Sequence, residues 1–99
     1  MITTKQRANL RRRASVLTPI MQVGKDVIKD ESIKQIEDML EKRELVKIRV
    51  LNNCELNSKQ VASLVQEKTN CEMVQVIGKI FVIYRRSSRN DVEHIDLDI

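Results

Sequence analysis

The stretch QVGKDVIKDESI, from Gln22 to Ile33, places a glycine and a lysine between a short apolar run and the start of a predicted helix. A turn of this kind can hold a phosphate, because glycine lets the backbone approach the anion and a helix N-terminus attracts it. The alternative interpretation is a tight turn with a solvated lysine. Gly24 and Lys25 are therefore candidate phosphate-binding residues. The turn lacks the glycine pattern of a P-loop or of a dinucleotide-binding loop.

A second group of candidates lies on a predicted helix near the N-terminus, which contains five cations. They are Lys5, Arg7, Arg11, Arg12 and Arg13. Arg7 and Arg11 are one turn apart and share a face of the helix. We predict that these two residues contact an anionic ligand first, followed by Lys5 and Arg12. The alternative is that the cations only keep the domain soluble.

Other cations follow the glycine turn and the last predicted strand. Lys29 follows the glycine turn, and Arg85 and Arg86 follow the last predicted strand. We include all three in the candidate surface. Lys47 and Arg49 project from one face of their predicted strand, and we interpret them as an exposed sheet face without a binding role.

The chain contains little that could support catalysis or hold a metal. His94 is the single histidine, and Cys54 and Cys71 are far apart in the sequence. A zinc site needs about four ligands of these types, and a serine or cysteine nucleophile needs a neighbouring base. We therefore predict no catalytic residue, metal, cofactor or small-molecule substrate. Both thiols should be reduced, and His94 should be solvated.

The charge distribution indicates a polyanionic partner. The net charge is +4, yet residues 1–29 contain seven cations against Asp26 alone, whereas residues 90–99 contain four acids and neither Lys nor Arg. A basic body suits RNA, DNA or an anionic surface, and the acidic end could compete with such a partner. No apolar run approaches the roughly 18 residues that cross a bilayer. Since the N-terminus also lacks the apolar core of a secretory signal, we expect a cytoplasmic protein without a membrane partner.

Capping signals and apolar spacing predict three helices. The first begins with the capping box at Thr3, turns Leu17 toward the core and ends before Pro19. The second begins with Asp30 as its N-cap, and the third ends near Asn70.

Four strands alternate with these helices. A short apolar run precedes the glycine turn, and the segment LVKIRVL alternates apolar and cationic residues as a half-buried strand does. The segment EMVQVIGKIFVIY reads as a hairpin with Gly78–Lys79 in a II′-type turn. This hairpin would place Ile77 opposite Ile80 and Val74 opposite Ile83.

The predicted order is therefore α-β-α-β-α-β-β. It indicates a two-layer α+β fold, a four-stranded mixed sheet with the helices on one face. We expect one domain over residues 1–86 and an acidic, flexible tail over residues 87–99.

Four stretches of the chain, in this order and spacing, resemble the YhbY-like CRM-domain family of RNA-binding proteins. They are TTKQRANLR at the start, PIMQVGK before the turn, RELVKIRVL after the second helix and MVQVIGKIFVIYR at the end. The resemblance extends from Thr3 to about Arg86.

The resemblance implies the fold of the C-terminal domain of bacterial translation initiation factor three, which agrees with the predicted element order. Stand-alone bacterial members of this family associate with precursors of the large ribosomal subunit, and multi-domain plant relatives assist intron splicing in organelles. None is known as an enzyme. By resemblance, we expect a ribosome assembly factor that binds ribosomal RNA or a large-subunit precursor.

The family's usual turn is Gly-Lys-x-Gly, similar to the GxxG loop with which KH domains clamp a nucleic-acid backbone. Gly24 and Lys25 match it, but Val27 stands in place of the second glycine and Asp26 adds a negative charge. A β-branched valine resists the positive φ that glycine tolerates. We therefore expect a degenerate loop whose chemistry toward phosphate is weakened.

The scarcity of aromatic residues bears on how RNA would be bound. Phe81 and Tyr84 are the only aromatic residues in the chain, so few bases can stack on the protein. We predict a monomer that docks on the phosphates and shape of a structured RNA. The alternative function is a protein-interaction adaptor whose basic face binds an acidic protein.

Overall fold

The computed structural model of the protein describes residues 2–25 and 29–98. Along the chain it contains α1 (Thr4–Ala14), β1 (Met21–Val23), α2 (Asp30–Arg43), β2 (Leu45–Val50), α3 (Ser58–Thr69), β3 (Glu72–Ile77) and β4 (Ile80–Tyr84). The predicted order of seven elements is confirmed. Within the described ranges, none of the helices has the length and apolar character that crossing a bilayer requires.

The four strands form one mixed sheet in the order β1-β2-β4-β3. β1 is parallel to β2, and β4 is antiparallel to both β2 and β3. The Leu51 N–H donates to the Val23 carbonyl at 2.8 Å, and the Val50 N–H donates to the Lys79 carbonyl at 2.7 Å. The exits of β1 and β2 and the β3–β4 turn therefore meet at one end of the sheet, which we call the turn end.

Helices cover both faces of this sheet. α2 and α3 pack on the face that presents Phe81 and Ile83, in the larger core cluster. α1 packs on the other face, where Leu10 joins Val82 and Tyr84 in a second cluster. Successive residues of β4 thus enter opposite cores, as the alternation of a strand requires.

The predicted α+β class with a four-stranded mixed sheet is confirmed, and the structure corrects the placement of the helices on one face. α1 forms a third layer on the opposite side of the sheet. The physical reason lies in β4, which reads IFVIY. A strand that is apolar on both faces needs cover on both faces, so the sequence did contain a signal for the third layer.

α1 begins as predicted and ends earlier. The Thr3 hydroxyl accepts from the Gln6 N–H at 3.0 Å and the Gln6 side chain accepts from the Thr3 N–H at 2.9 Å, which confirms the capping box. At the other end, Lys47 Nζ donates to the carbonyls of Ala14 and Leu17 at 3.1 and 3.0 Å. This ammonium satisfies carbonyls that the helix leaves free at its C-terminus. Leu17 is 41% exposed, so its predicted place in the core was wrong.

The hairpin keeps the predicted register near the turn, including Val76 opposite Phe81, and its register shifts beyond Gln75. Ile77 pairs with Ile80 as predicted. A β-bulge after Met73 then places Met73 opposite Ile83, where Val74 was expected. The extra residue of a bulge is left out of the pairing, and no local sequence signal marked its position.

Three residues at element boundaries have a positive φ. Asn70, at 56°, caps α3 at the predicted place, and Gly78, at 55°, opens the hairpin turn. Glu44, at 64°, lies between α2 and β2, although a glutamate rarely adopts this conformation. At the start of α2, Lys29 is the N-cap and Asp30, the predicted cap, is the first helical residue.

Candidate nucleic-acid interface

The two sides of α1 face different neighbours. Asn9 and Arg13 donate to backbone carbonyls of residues 96–97 at 2.9 and 3.3 Å, so one side of the helix meets the C-terminal segment. Arg7 and Arg11 lie one turn apart on the other side. That side borders the part of the sheet that leads to the turn end.

Arg7 differs from the other predicted α1 contacts because its side chain serves the fold. The half-buried Arg7 donates from Nε to the Met73 carbonyl at 2.9 Å, beside the β-bulge. Lys5, Arg11 and Arg12 are exposed. The structure thus leaves three of the four predicted α1 cations oriented toward solvent.

The glycine turn leaves β1 at the turn end. A Cβ built on Gly24 would lie 2.7 Å from the Asn53 Oδ1 atom. This contact does not by itself require glycine, because the exposed Asn53 side chain can rotate away. Lys25 and Lys29 are exposed on either side of residues 26–28. The predicted effects of Asp26 and Val27 fall outside the described residues.

One row of the sheet on the α1 side is left uncovered by α1. Gln22 pairs with Arg49, Arg49 with Ile80, and Ile80 with Ile77, so that each strand contributes one residue. Ile80 is two residues before Val82, and these positions share a face of the strand. We call Gln22, Arg49, Ile80 and Ile77 the exposed row.

Lys47 and Arg49 share the α1 face of β2 but differ in their surroundings. Lys47 is held by the end of α1. Arg49 is exposed, and within the described residues its guanidinium has no hydrogen bond or ion pair. The sequence placed both residues on one sheet face correctly. The predicted exposure is confirmed for Arg49 and wrong for Lys47, which is half-buried. Arg49 was set aside as a candidate because an exposed sheet face does not by itself indicate binding.

Arg85 and Arg86 lie at the end of the sheet opposite the turn end. Arg85 donates to the Thr69 carbonyl at 2.7 Å and lies 3.4 Å from a Glu37 oxygen, so it ties the end of α3 to α2. Arg86 is exposed beside His94 in a groove formed by the C-terminal segment. The structure therefore does not bring these two arginines together with Gly24 and Lys25.

The C-terminal segment, residues 87–98, is packed against the domain through the fully buried Glu44. One Glu44 oxygen accepts from the Ser87 N–H at 2.8 Å, and the other accepts from the Ile95 N–H at 2.7 Å. His94 Nδ1 lies 2.5 Å from the first oxygen. The expectation that His94 is solvated was wrong, and the segment predicted as a flexible tail lies along the surface of the domain.

The Glu44 carboxylate is held in its charged form. Burial raises the pKa of Glu44, but the hydrogen bonds from His94, Ser87 and Ile95 outweigh this effect and lower the pKa below its ordinary value. Nothing in the local sequence distinguished Glu44 from the acids of the preceding helix α2. Its role depends on a partner about fifty residues away in the chain.

The C-terminal segment also brings negative charge to α1. Gln6 Nε2 donates to an Asp98 oxygen at 3.1 Å. Lys5, Arg12 and Asp98 line the same shallow cleft. Ile95 and Leu97 anchor the segment by packing against the α1 core. The Asp98 carboxylate therefore lies beside the predicted cations Lys5 and Arg12.

The described residues contain no group of three or more His, Cys, Asp or Glu side chains arranged to hold a metal ion. Cys54 is half-buried and Cys71 is buried, and both are free thiols. Burial raises the pKa of Cys71, which disfavours the thiolate that nucleophilic chemistry would need.

Comparison with known proteins identifies the family of this chain. The family model for the CRS1/YhbY (CRM) domain matches residues 2–85. The "Probable RNA-binding protein YqeI" of Bacillus subtilis is 46% identical over 90 residues, which are 91% of this chain and 94% of that protein. An "RNA-binding protein" of Haemophilus influenzae is 27% identical over 92 residues, 93% of each chain.

A solved structure agrees with the fold. The solution structure of the Staphylococcus aureus protein SAV1595 superimposes with a TM-score of 0.75 at 46% sequence identity, over 96% of this chain and 100% of that one. The family match, the sequence identity and the shared fold extend over nearly the whole chain. The protein belongs to the CRS1/YhbY (CRM) domain family.

Proposed function

We propose that this protein binds RNA with the side of the sheet that carries α1. Exposed cations from α1, from β2 and from the turn end border this side. They are Lys5, Arg11, Arg12, Lys25, Arg49 and Lys79, and we call them the cationic surface. Gly24 and Lys29 flank this surface at the turn end, where Lys29 leads into α2 on the opposite face of the sheet. The single observation that carries the proposal is that α1, β2 and the loops at the turn end all contribute exposed cations around this side of the sheet.

This surface suits a phosphate polymer. Lys and Arg side chains that meet phosphates release condensed counterions, which provides affinity that falls as salt rises. Arg and Lys in fixed positions on a folded scaffold also fix the orientation of the RNA. Relatives of this chain carry names that describe them as RNA-binding proteins, which supports the same assignment here.

The RNA that we propose is ribosomal RNA, within precursors of the large ribosomal subunit. The protein would act as a monomeric assembly factor in the cytoplasm, without catalysis of its own. The support is the family resemblance together with the exposed cations of the cationic surface.

Sedimentation of cell extracts tests this proposal. Tagged protein should travel with large-subunit precursors, and mild ribonuclease treatment should release it. Association that survives ribonuclease would contradict the proposal and favour a protein-interaction adaptor. If the tagged protein sediments only as free protein, with or without ribonuclease, both a ribosomal partner and the assembly role are excluded.

A further inference from the structure

The exposed row combines charge with uncovered apolar surface at the edge of the cationic surface. Ile77 is 61% exposed, and Ile80 is half-buried. Arg49 is exposed on one side of Ile80, and Ile77 flanks it on the other. Neighbouring strands lie about 5 Å apart, so the three side chains form a strip about 10 Å wide.

The strip lies directly beside the end of α1. Ile80 is two residues from the buried Val82, which α1 covers, so the row is about 7 Å beyond that contact along the strand. Lys79 follows Ile77 across the turn, and Lys25 leaves β1 at the same end of the sheet. The apolar strip is thus bordered by Arg49 on the β2 side and by exposed lysines at the turn end.

A ligand that fits this strip must offer an anion and an apolar plane together. A paired RNA helix presents phosphates and hides the faces of its bases, whereas an unpaired nucleotide presents both. A guanidinium is planar and stacks on bases, and the two isoleucines provide an apolar floor.

We infer that the exposed row binds an unpaired base of RNA, with Arg49 stacking on the base and Ile77 and Ile80 supporting it. This inference rests on the proposed RNA-binding function and adds the class of RNA segment: a single strand, loop or bulge. The phosphates on either side of the base lie toward Lys79 and toward the exposed side of α1.

Two labelled RNAs test the inference by fluorescence anisotropy: a short single strand, and the same strand annealed to its complement. The Ile77→Ser variant should bind the single strand at least roughly five-fold more weakly, the lower end of what one lost stacking contact costs. Its affinity for the duplex should be unchanged. Arg49→Lys, which keeps the charge and loses the planar group, should show the same selective loss.

The chain offers a matched control in Val76, which is 37% exposed. Val76 lies next to Ile77 and pairs with Phe81, so it faces the opposite side of the sheet. Val76→Ser should bind both RNAs as the wild type does.

The base-binding role would be overturned if the single strand bound equally well to all three variants, Ile77→Ser, Arg49→Lys and Val76→Ser. RNA binding itself would remain intact in that case. The exposed isoleucines would then be assigned to a protein partner. Failure of the wild-type protein to bind either RNA would overturn both the inference and the proposed function.

Discussion

Arg7 and Arg11 have the same side-chain chemistry and different roles. Arg7 is half-buried and donates to the Met73 carbonyl, whereas Arg11 is exposed. Arg7→Ala should lower the free energy of unfolding by roughly 1 kcal/mol, because the carbonyl beside the bulge loses a charged donor. Arg11→Ala should leave stability unchanged and weaken RNA binding. Urea denaturation of both variants measures the difference, and equal stability would contradict the structural role of Arg7.

Glu44 is the residue on which the position of the C-terminal segment depends. Both of its oxygens accept backbone N–H groups of that segment. In Glu44→Gln, one of these acceptors becomes a donor, so a buried N–H loses its partner. The variant should be less stable by about 2 kcal/mol at neutral pH, as measured by urea denaturation. As a control, Gln35→Glu adds a charge at an exposed position of α2 and should leave the free energy of unfolding nearly unchanged.

The same residue predicts how stability depends on pH. Because the pKa of Glu44 is lower in the folded protein than its ordinary value of 4.5, the folded state favours the charged carboxylate. This stabilisation is fully present above pH 4.5 and is lost as the pH falls through the lowered pKa. Glu41 and Asp91 also have lowered pKa values, from bonds to Ser88 and Arg89. In acid, the wild type should therefore lose more stability than Glu44→Gln does, and identical losses would contradict the account.

At the scale of elements, the C-terminal segment limits the charge of α1. Asp98 is hydrogen-bonded to Gln6, and Asp96 accepts from the Asp98 N–H. Asparagine at both positions can still accept these bonds through its side-chain oxygen. The variant Asp96→Asn with Asp98→Asn should therefore keep the fold and bind RNA roughly two- to five-fold more tightly at low salt.

A matched control separates the local effect from the change in net charge. Asp38→Asn with Glu67→Gln removes two exposed acids from α2 and α3, on the other face of the sheet. This control should change RNA affinity less than the C-terminal variant. If both variants tighten binding equally, the acids of the segment act only through net charge.

The sequence predicted those elements whose signals are local. The capping box at Thr3, the positive φ of Gly78 and the Ile77–Ile80 pair all follow from residues within four positions of each other. The bulge after Met73 and the side of the sheet taken by α1 depend on packing between distant segments. No local pattern marked the bulge, whereas the two apolar faces of β4 indicated a layer on each side of the sheet, and both predictions needed correction.

The candidate site shows the same division. Exposure of Lys5, Arg11, Arg12 and Lys25 could be predicted, because each lies on a polar helix face or in a turn. The structural roles of Arg7, Lys47 and Arg85 could not, since each bonds a carbonyl far away in the sequence. Arg49 was correctly predicted to be exposed, but exposure alone does not indicate binding, and its position beside α1 depends on the fold.

At the scale of the whole molecule, the sheet separates two surfaces of different charge. α1 contains five cations and no acid, whereas α2 and α3 together contain six acids and five cations. A phosphate polymer is attracted to the first surface and gains little from the second. The domain should therefore bind RNA with one side only.

The most direct test compares charge reversal on the two sides, with RNA affinity measured by anisotropy over a salt series. Arg11→Glu with Arg49→Glu changes the cationic surface, and Lys34→Glu with Lys68→Glu makes the same change in net charge on α2 and α3. The first variant should bind at least roughly ten-fold more weakly and lower the slope of log affinity against log salt by about 2, while the second stays close to the wild type. Equal weakening of both variants would contradict a one-sided RNA surface.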